Sequence, residues 1–509
     1  MHVLCAIDVE KLPRDVDALL GVITDLHSQY NTLLESLHQQ LQKLKRMHFG
    51  TSSERLAGQA DLFVGTVTLP VPPEELEKIT YERPKSKGRP KLPENLPRQR
   101  IEYDLSDEEK AEFEKTEKIG EEISETLDFT PAKLIVIEHA RAKYRCEKEG
   151  ESTIRVAFAE PSPIPKSNAS AGLLAQVLVA KYADGLPLNR QEKIFKRHGL
   201  ELSRATLCDW ILGSTERLSL LLEAIKEYVL KAPVIFGDDT TIDLIEGGRG
   251  QARTARMWAY VSAGQTRDGE GRWQHYPKAA YFEFTETREA IHPTRFLAPY
   301  TGYLQADDYV GYHATFRSGR VIHAACWAHS RRRFYDIAKT QKTPGLAAEA
   351  LRFIAKLYEI EGRAKDQPPD KRLLMRQAET IPLLSDFKRW LEGHSPHLLP
   401  QGALGQACAY VMSNWQALNR FTENGILAPD TNLVERTLRP IAAGRKAWLF
   451  AGSVRGGNAA AVAFSLIETC KLNGVEPFAY LKDVLGRISS HRIDCLHELL
   501  PFNWKPAAV

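Results

Sequence analysis

The chain has 509 residues, 43% hydrophobic and 26% charged, with a formal net charge of +3. At roughly 150 residues per domain this predicts about three domains or more, and the balance excludes a disordered, collagen-like or membrane-spanning chain. Seven scattered cysteines, no two of them two or three apart, exclude a disulfide framework and a compact cysteine zinc knuckle; with no signal peptide visible, the cytoplasm is the expected compartment and a membrane partner is not.

The first predicted element is a coiled coil over residues 16–47. Leu19, Ile23, Leu26, Tyr30, Leu33, Leu37, Gln40, Leu44 and Met47 alternate in steps of four and three, with Gln40 the single polar seam residue. The same pattern suits an amphipathic helix packed on its own domain. The Pro-rich stretch that follows favours self-association, hence a homo-oligomer. Residues 68–100 read as a linker rich in proline and bases. Residues 81–100 carry seven bases against two acids. Lys87-Gly88-Arg89-Pro90-Lys91 within it suits either the minor groove of A·T-rich DNA or plain solvent. Residues 101–128 reverse the sign, with twelve acids and three bases. A strand is predicted at Lys133–Ile137, and the module ends at Tyr144-Arg145-Cys146.

Residues 170–230 read as helical. The stretch 188–199 is a helix closed by Gly199, and Ser203 is placed to cap the next. Helix, short glycine turn and capped helix outline a helix-turn-helix, or a generic helical hairpin. In the former, Arg204 and Thr206 would meet base edges. From 233 the texture becomes strands: Val234–Phe236, Arg256–Val261, Ala280–Phe284, Gly302–Ala306 and Val321–Ala325. Helices follow from 328 to about 425, then around 430–440 and 457–471. Strands followed by helices predict an α/β or mixed sheet.

Two strands run into paired acids, Asp238-Asp239 and Asp307-Asp308. A carboxylate just past a buried strand is rigid and reachable, which suits a hard cation. Glu435 is a third candidate. On a helix, Asn432, Glu435, Arg436 and Arg439 share a polar face, and Val434, Thr437 and Leu438 a packed one. Residues 436–467 hold five bases and no acid, a surface fit for a phosphate backbone. Arg445 and Lys446 are expected beyond a helix break at Pro440. Two aspartates and a glutamate can hold two magnesium ions that serve in-line phosphoryl displacement, although acids at strand ends are common and spacing alone does not establish it.

Asp238-Asp239-Thr240, Leu304 through Tyr312, Cys326-Trp327-Ala328-His329-Ser330-Arg331-Arg332, and Asn432 through Pro440 with Gly444 through Ser453 together resemble the signatures of the insertion-sequence-66 family of bacterial transposases. Lys181 through Gln191 and Phe49 through Glu54 extend the resemblance over nearly the whole chain. It implies a ribonuclease-H-like catalytic domain with an Asp-Asp-Glu triad at Asp238, Asp307 and Glu435. These three would be catalytic and would hold two magnesium or manganese ions. Arg204, Thr206, His329, Arg331, Arg332, Arg436, Arg439, Arg445 and Lys446 would contact DNA. His329 would otherwise be a capped core histidine, and Arg439 a brace for Glu435.

The implied organisation is a coiled coil (1–60), a basic linker (61–100) and a zinc-finger-like module (101–160). A helix-turn-helix-like region (161–230) precedes the catalytic core (231–340 and 426–470), which is interrupted by a helical insertion (341–425) and followed by a tail (471–509). The family's module carries cysteine ligands. Here only Cys146 survives before Glu147, so no zinc is expected. The implied activity is cleavage at the ends of a mobile element and transfer to target DNA, with DNA and companion proteins of the element as partners. Such a protein is cytoplasmic and associates with the nucleoid when bound to DNA. A catalytically silent DNA-binding relic or regulator is the alternative, and a structure-selective nuclease a third.

Overall fold

A computed structural model describes residues 162–165, 167–245, 252–341 and 343–506, the backbone of 143–148 and 151–156, and positions 15, 134, 136 and 137. The predicted coiled coil and linker lie outside the described residues, as does most of the acidic module. In the unit spanning Leu69–Val156, β1 (Lys143–Lys148) and β2 (Glu151–Val156) form an antiparallel hairpin. The strand expected at 133–137 is not found at its described positions. Leu134, Val136 and Ile137 are exposed and belong to no strand, because β-propensity without a pairing partner does not make a strand.

The larger unit begins with three helices, α1 (Ala171–Tyr182), α2 (Leu188–Arg197) and α3 (Arg204–Leu230). Gly199, at φ +81°, turns the chain out of α2. Ser203 Oγ then accepts the Thr206 N–H at 3.1 Å and caps α3. Along α3, Leu207, Ile211, Leu218, Leu221, Ile225 and Val229 are buried. They form one apolar stripe, and α3 lays it against the sheet and a later helix.

That sheet has the order β7-β4-β3-β8-β9. β3 (Val234–Leu244), β4 (Arg253–Ala263) and β7 (Ala280–Thr285) run antiparallel. β8 (Gly302–Gln305) and β9 (Val321–Ala324) continue from β3 in parallel. A small ribbon, β5 (Gln265–Arg267) with β6 (Trp273–His275), projects between β4 and β7. Short helices α4 (Ile291–Leu297) and α5 (His313–Arg317) flank β8. β3 is much longer than the apolar run 234–236 suggested, because β4 pairs with it as far as Leu244. Asp238 therefore lies inside β3 rather than past its end.

After β9 the chain is helical: α6 (Trp327–Ala338), α7 (Leu346–Ala364), α8 (Pro369–Met375), α9 (Ile381–His394), α10 (Ala403–Ser413) and α11 (Trp415–Asn419). Between α8 and α9, Arg376 is 1% exposed and buries its guanidinium among Glu361 and the carbonyls of Phe421, Asn424 and Leu427. One arginine thus ties the body of this helical segment to its exit.

The exit leads into α12 (Asn432–Trp448), which packs on β3 and β4. The break expected at Pro440 is absent, and α12 runs through it. Proline removes one N–H from the helix, and packing of Val434, Thr437, Leu438, Ile441 and Gly444 against the core holds the helix together. The two-residue β10 (Phe450–Ala451) pairs with the far end of β3, and α13 (Val454–Leu472) and α14 (Pro477–Arg487) complete the unit.

α13 closes the open edge of the sheet. The β7 N–H groups of Ala280 and Phe282 donate to Thr469 Oγ1 and Ser465 Oγ, at 3.0 and 2.9 Å. Donors that would template another strand are thereby satisfied. The close approach requires Gly457, where a Cβ would stand 2.6 Å from the Phe284 ring. Among the described residues no helix is long and apolar enough to cross a membrane.

Candidate active site

The register of the parallel strands creates the centre. Phe236 of β3 lies opposite Gln305 of β8. Asp238 follows two residues later within β3, and Asp307 two residues later just past the end of β8, close enough for their charges to act on one another. β8 ends at Gln305, which opens the groove there.

The third carboxylate arrives from far along the chain by a set of buried hydrogen bonds. Gln305 Nε2 donates to Ala428 O at 2.7 Å, and Ala428 N donates back to Gln305 Oε1 at 3.0 Å. Trp327 N donates to Pro429 O at 2.9 Å. Thr431 N and Oγ1 both donate to Cys326 Sγ, at 3.3 and 3.1 Å. Residues 428–431 are thereby docked along the end of β8 and the start of α6. α12 starts one residue later, with Glu435 in its first turn.

Glu435 then meets α6. His329 Nδ1 lies 3.8 Å from its Oε1, Arg332 Nη2 lies 3.5 Å from its Oε2, and Thr431 Oγ1 donates to Oε1 at 3.4 Å. His329 Nδ1 is buried without a hydrogen-bond partner. The ligand atoms of Cys326, His329 and Glu435 fall within 4.8 Å of one another. Burial pushes the Cys326 thiol up to about 12, so it is a neutral acceptor that orients Thr431.

Each aspartate pair is resolved by its partners. Asp239 is enclosed by Arg256 Nη1 at 3.1 Å and by Arg288 Nε and Nη2 at 3.0 and 2.8 Å. Asp308 accepts from Asn414 Nδ2 at 3.0 Å and faces His313 Nε2 at 3.0 Å, which anchors the helical segment to the sheet. Among the described residues, Asp238 and Asp307 accept only main-chain N–H groups, from Asp239 and Tyr309. Burial pushes the Asp238 carboxyl up to about 7. The Asp239 N–H opposes this, the Asp307 and Glu435 charges add to it, and His329 pulls it back. Burial raises Asp307 too, against His329 and Arg288. Like charges held this close and partly desolvated are costly without a cation.

Of the residues expected from sequence, the fold gathers Asp238, Asp307, Glu435, His329 and Arg332. Arg331 lies over the Tyr335 ring at 5.6 Å. Arg436, Arg439 and Lys446 are exposed along α12, with Arg436 Nε donating to Asn432 O at 3.2 Å. Arg445 is turned inward, donating to Thr240 Oγ1, Thr241 O and Thr241 Oγ1 at 2.7 to 3.2 Å. Arg204 and Thr206 sit on α3 outside this cluster. Arg204 pairs with Glu192 at 3.4 Å, and the Thr206 hydroxyl is 2.9 Å from Ser203 Oγ. Sequence reasoning missed Gln305, Arg288, Asn414 and the part played by Cys326 and Thr431. Only the three-residue spacing of Cys326 and His329 at the start of one helix hinted at any of them.

Residues 166–459 match the family described as Transposase IS66 family, and residues 465–502 match the IS66 C-terminal element. Residues 36–101 match the Transposase C of IS166 homeodomain. Residues 113–148 match the zinc-finger binding domain of transposase IS66. This last match corrects the expectation of no zinc. Counting cysteines excludes only cysteine-based sites, whereas histidine and carboxylates also bind zinc, and this stretch holds His139 and many acids. Among relatives, the uncharacterized protein y4jD of Sinorhizobium fredii is 32% identical over 98% of both chains. The uncharacterized protein y4hP of the same organism is 34% identical over 77% of this chain and 72% of its own.

Proposed function

Since the chain belongs to the IS66 family of transposases, with DNA as the partner that membership implies, we propose that it cuts DNA at the ends of a mobile element and joins them to a target. The strand order β7-β4-β3-β8-β9, antiparallel then parallel about β3, supports a ribonuclease-H-like core. The observation that carries the proposal is the sorting of the acids. Asp239 and Asp308 are consumed by arginine, histidine and asparagine, while among the described residues Asp238 and Asp307 accept main-chain N–H groups only, and Asp238 feels the charges of both Asp307 and Glu435.

Asp238, Asp307 and Glu435, with charges that act on Asp238 together and a buried, unpartnered His329 Nδ1 beside Glu435, offer carboxylate donors of the kind that suit hard divalent cations. Asp238, Asp307 and Glu435 would hold them. When bound, such ions activate a water or 3′-hydroxyl and stabilise the leaving oxygen. The protein's own share is orientation. Cys326 and Thr431 fix the start of α12, His329 and Arg332 flank the Glu435 carboxylate, and the exposed bases of α12, Arg436, Arg439 and Lys446, receive backbone phosphates without reading sequence.

The test uses the full chain, magnesium and DNA carrying the element's ends. Asp238→Asn, Asp307→Asn and Glu435→Gln should each abolish cleavage and joining while leaving end binding largely intact. Full activity in any one variant refutes the triad. A wild-type protein that binds the ends but never cuts them favours the silent regulator instead.

A further inference from the structure

Arg288 lies between β7 and α4, far in sequence from every acid of the centre. Its guanidinium is held on two sides. Nε and Nη2 grip Asp239 Oδ1 at 3.0 and 2.8 Å. The guanidinium carbon lies 4.1 Å over the Tyr309 ring, and the Tyr309 hydroxyl donates back to Arg288 O. Tyr309 is two residues beyond Asp307, and its ring packs 5.9 Å from that of Trp258. Plane and edge of the guanidinium are both fixed.

Burying Asp239 does not require this arrangement. Arg256 already pairs with Asp239 Oδ2 at 3.1 Å. Two arginines on one carboxylate leave one net positive charge at the rim of an acidic groove. Arg288 is still 38% exposed, whereas Asp239 is 3% exposed. Among the described residues, Nη1 of Arg288 has no acceptor. A fixed fork with an unspent donor edge matches a phosphate oxygen in both charge and geometry.

We propose that Arg288, clamped by Asp239 and Tyr309, binds a non-bridging oxygen of a DNA backbone phosphate beside the Asp238–Asp307 carboxylates. The identity of the DNA as substrate rests on the strand-transfer reading above; the phosphate contact does not require cleavage and is measured without it.

The probe is a 30-base-pair duplex of arbitrary sequence, titrated with the full chain at several salt concentrations in the presence of chelator. Arg288→Ala should lower the slope of log affinity against log salt by about one unit. Arg288→Lys should keep the slope but lose the fork, so that magnesium-dependent cleavage of element ends falls roughly a hundredfold. Neutral methylphosphonates scanned along a duplex carrying an element end, where the register is fixed, should weaken the wild type at one position and leave Arg288→Ala indifferent there. The double variant Asp239→Asn with Arg288→Ala removes the carboxylate that the single variant leaves to Arg256 alone and should show the same slope as Arg288→Ala, which covers poor folding of the single variant. An unchanged slope and affinity with a lower melting temperature would overturn the proposal and make Arg288 a brace for Asp239. Absence of cleavage by the wild type would count against strand transfer, and the slope measurement would still decide Arg288.

Discussion

Asp238 offers a test that separates a functional carboxylate from a structural one. Without a cation its carboxyl is held up at about 7, chiefly by burial, against about 3.9 in an unfolded chain. The folded state therefore keeps the proton more tightly than the unfolded state does. Between about pH 4 and pH 7, stability must fall as pH rises. Complete burial would set the cost of the ionised group at about 4 kcal/mol at pH 8 and under about 2 kcal/mol at pH 5. Asp238 retains some opening to the groove, so roughly half of each figure is expected. Asp238→Asn keeps the acceptor for the Asp239 N–H and removes the charge. In chelator it should stabilise the protein by about 2 kcal/mol at pH 8 and by under 1 kcal/mol at pH 5, measured by urea unfolding. Burial lowers His323, a group that adds stability as pH rises toward about 6.5. Taking the difference between variant and wild type cancels it. Added magnesium should stabilise the wild type and not the variant. A variant no more stable than wild type at pH 8, or equally stabilised at both pH values, would refute the idea that the site pays folding energy to hold this charge.

Arg376→Met should cost about 3–5 kcal/mol in urea unfolding, because it strands the Glu361 carboxylate and three carbonyls; adding Glu361→Gln should recover part of it. Gln305→Leu should cost about 2–3 kcal/mol by leaving both Ala428 main-chain groups unpaired, and should slow DNA cleavage as well, since the same pair docks the segment that carries Glu435. Arg445→Ala should lower the melting temperature by several degrees through its lost bonds to β3 and leave the salt dependence of DNA binding unchanged, whereas Arg439→Ala should reduce that slope by about one unit. Removing residues 1–60 should lower the oligomeric state seen by light scattering, and an unchanged mass would show that the heptads over 19–47 pack within their own domain.

The strands and helices of the core were legible in the sequence because their apolar periodicity is local. The runs at 256–261, 280–284, 302–306 and 321–325 all fall on strands, and the capped turn from Gly199 to Ser203 is where its residue types placed it. Helix continuity through Pro440 was not legible, because packing of Val434, Leu438 and Ile441 outweighs one missing hydrogen bond. Candidate acids could likewise be read from sequence, but only as pairs. Which member of Asp238-Asp239 and Asp307-Asp308 faces the groove depends on Arg256, Arg288, His313 and Asn414, and these come from four separate stretches of the chain. The inward turn of Arg445 and the docking of residues 428–431 on Gln305 and Cys326 are decided in the same way. Charge and hydrogen-bond partners that lie up to 205 residues apart leave no periodic trace along the chain. The sequence by itself determined the elements and the supply of carboxylates, and tertiary packing selected which of them meet.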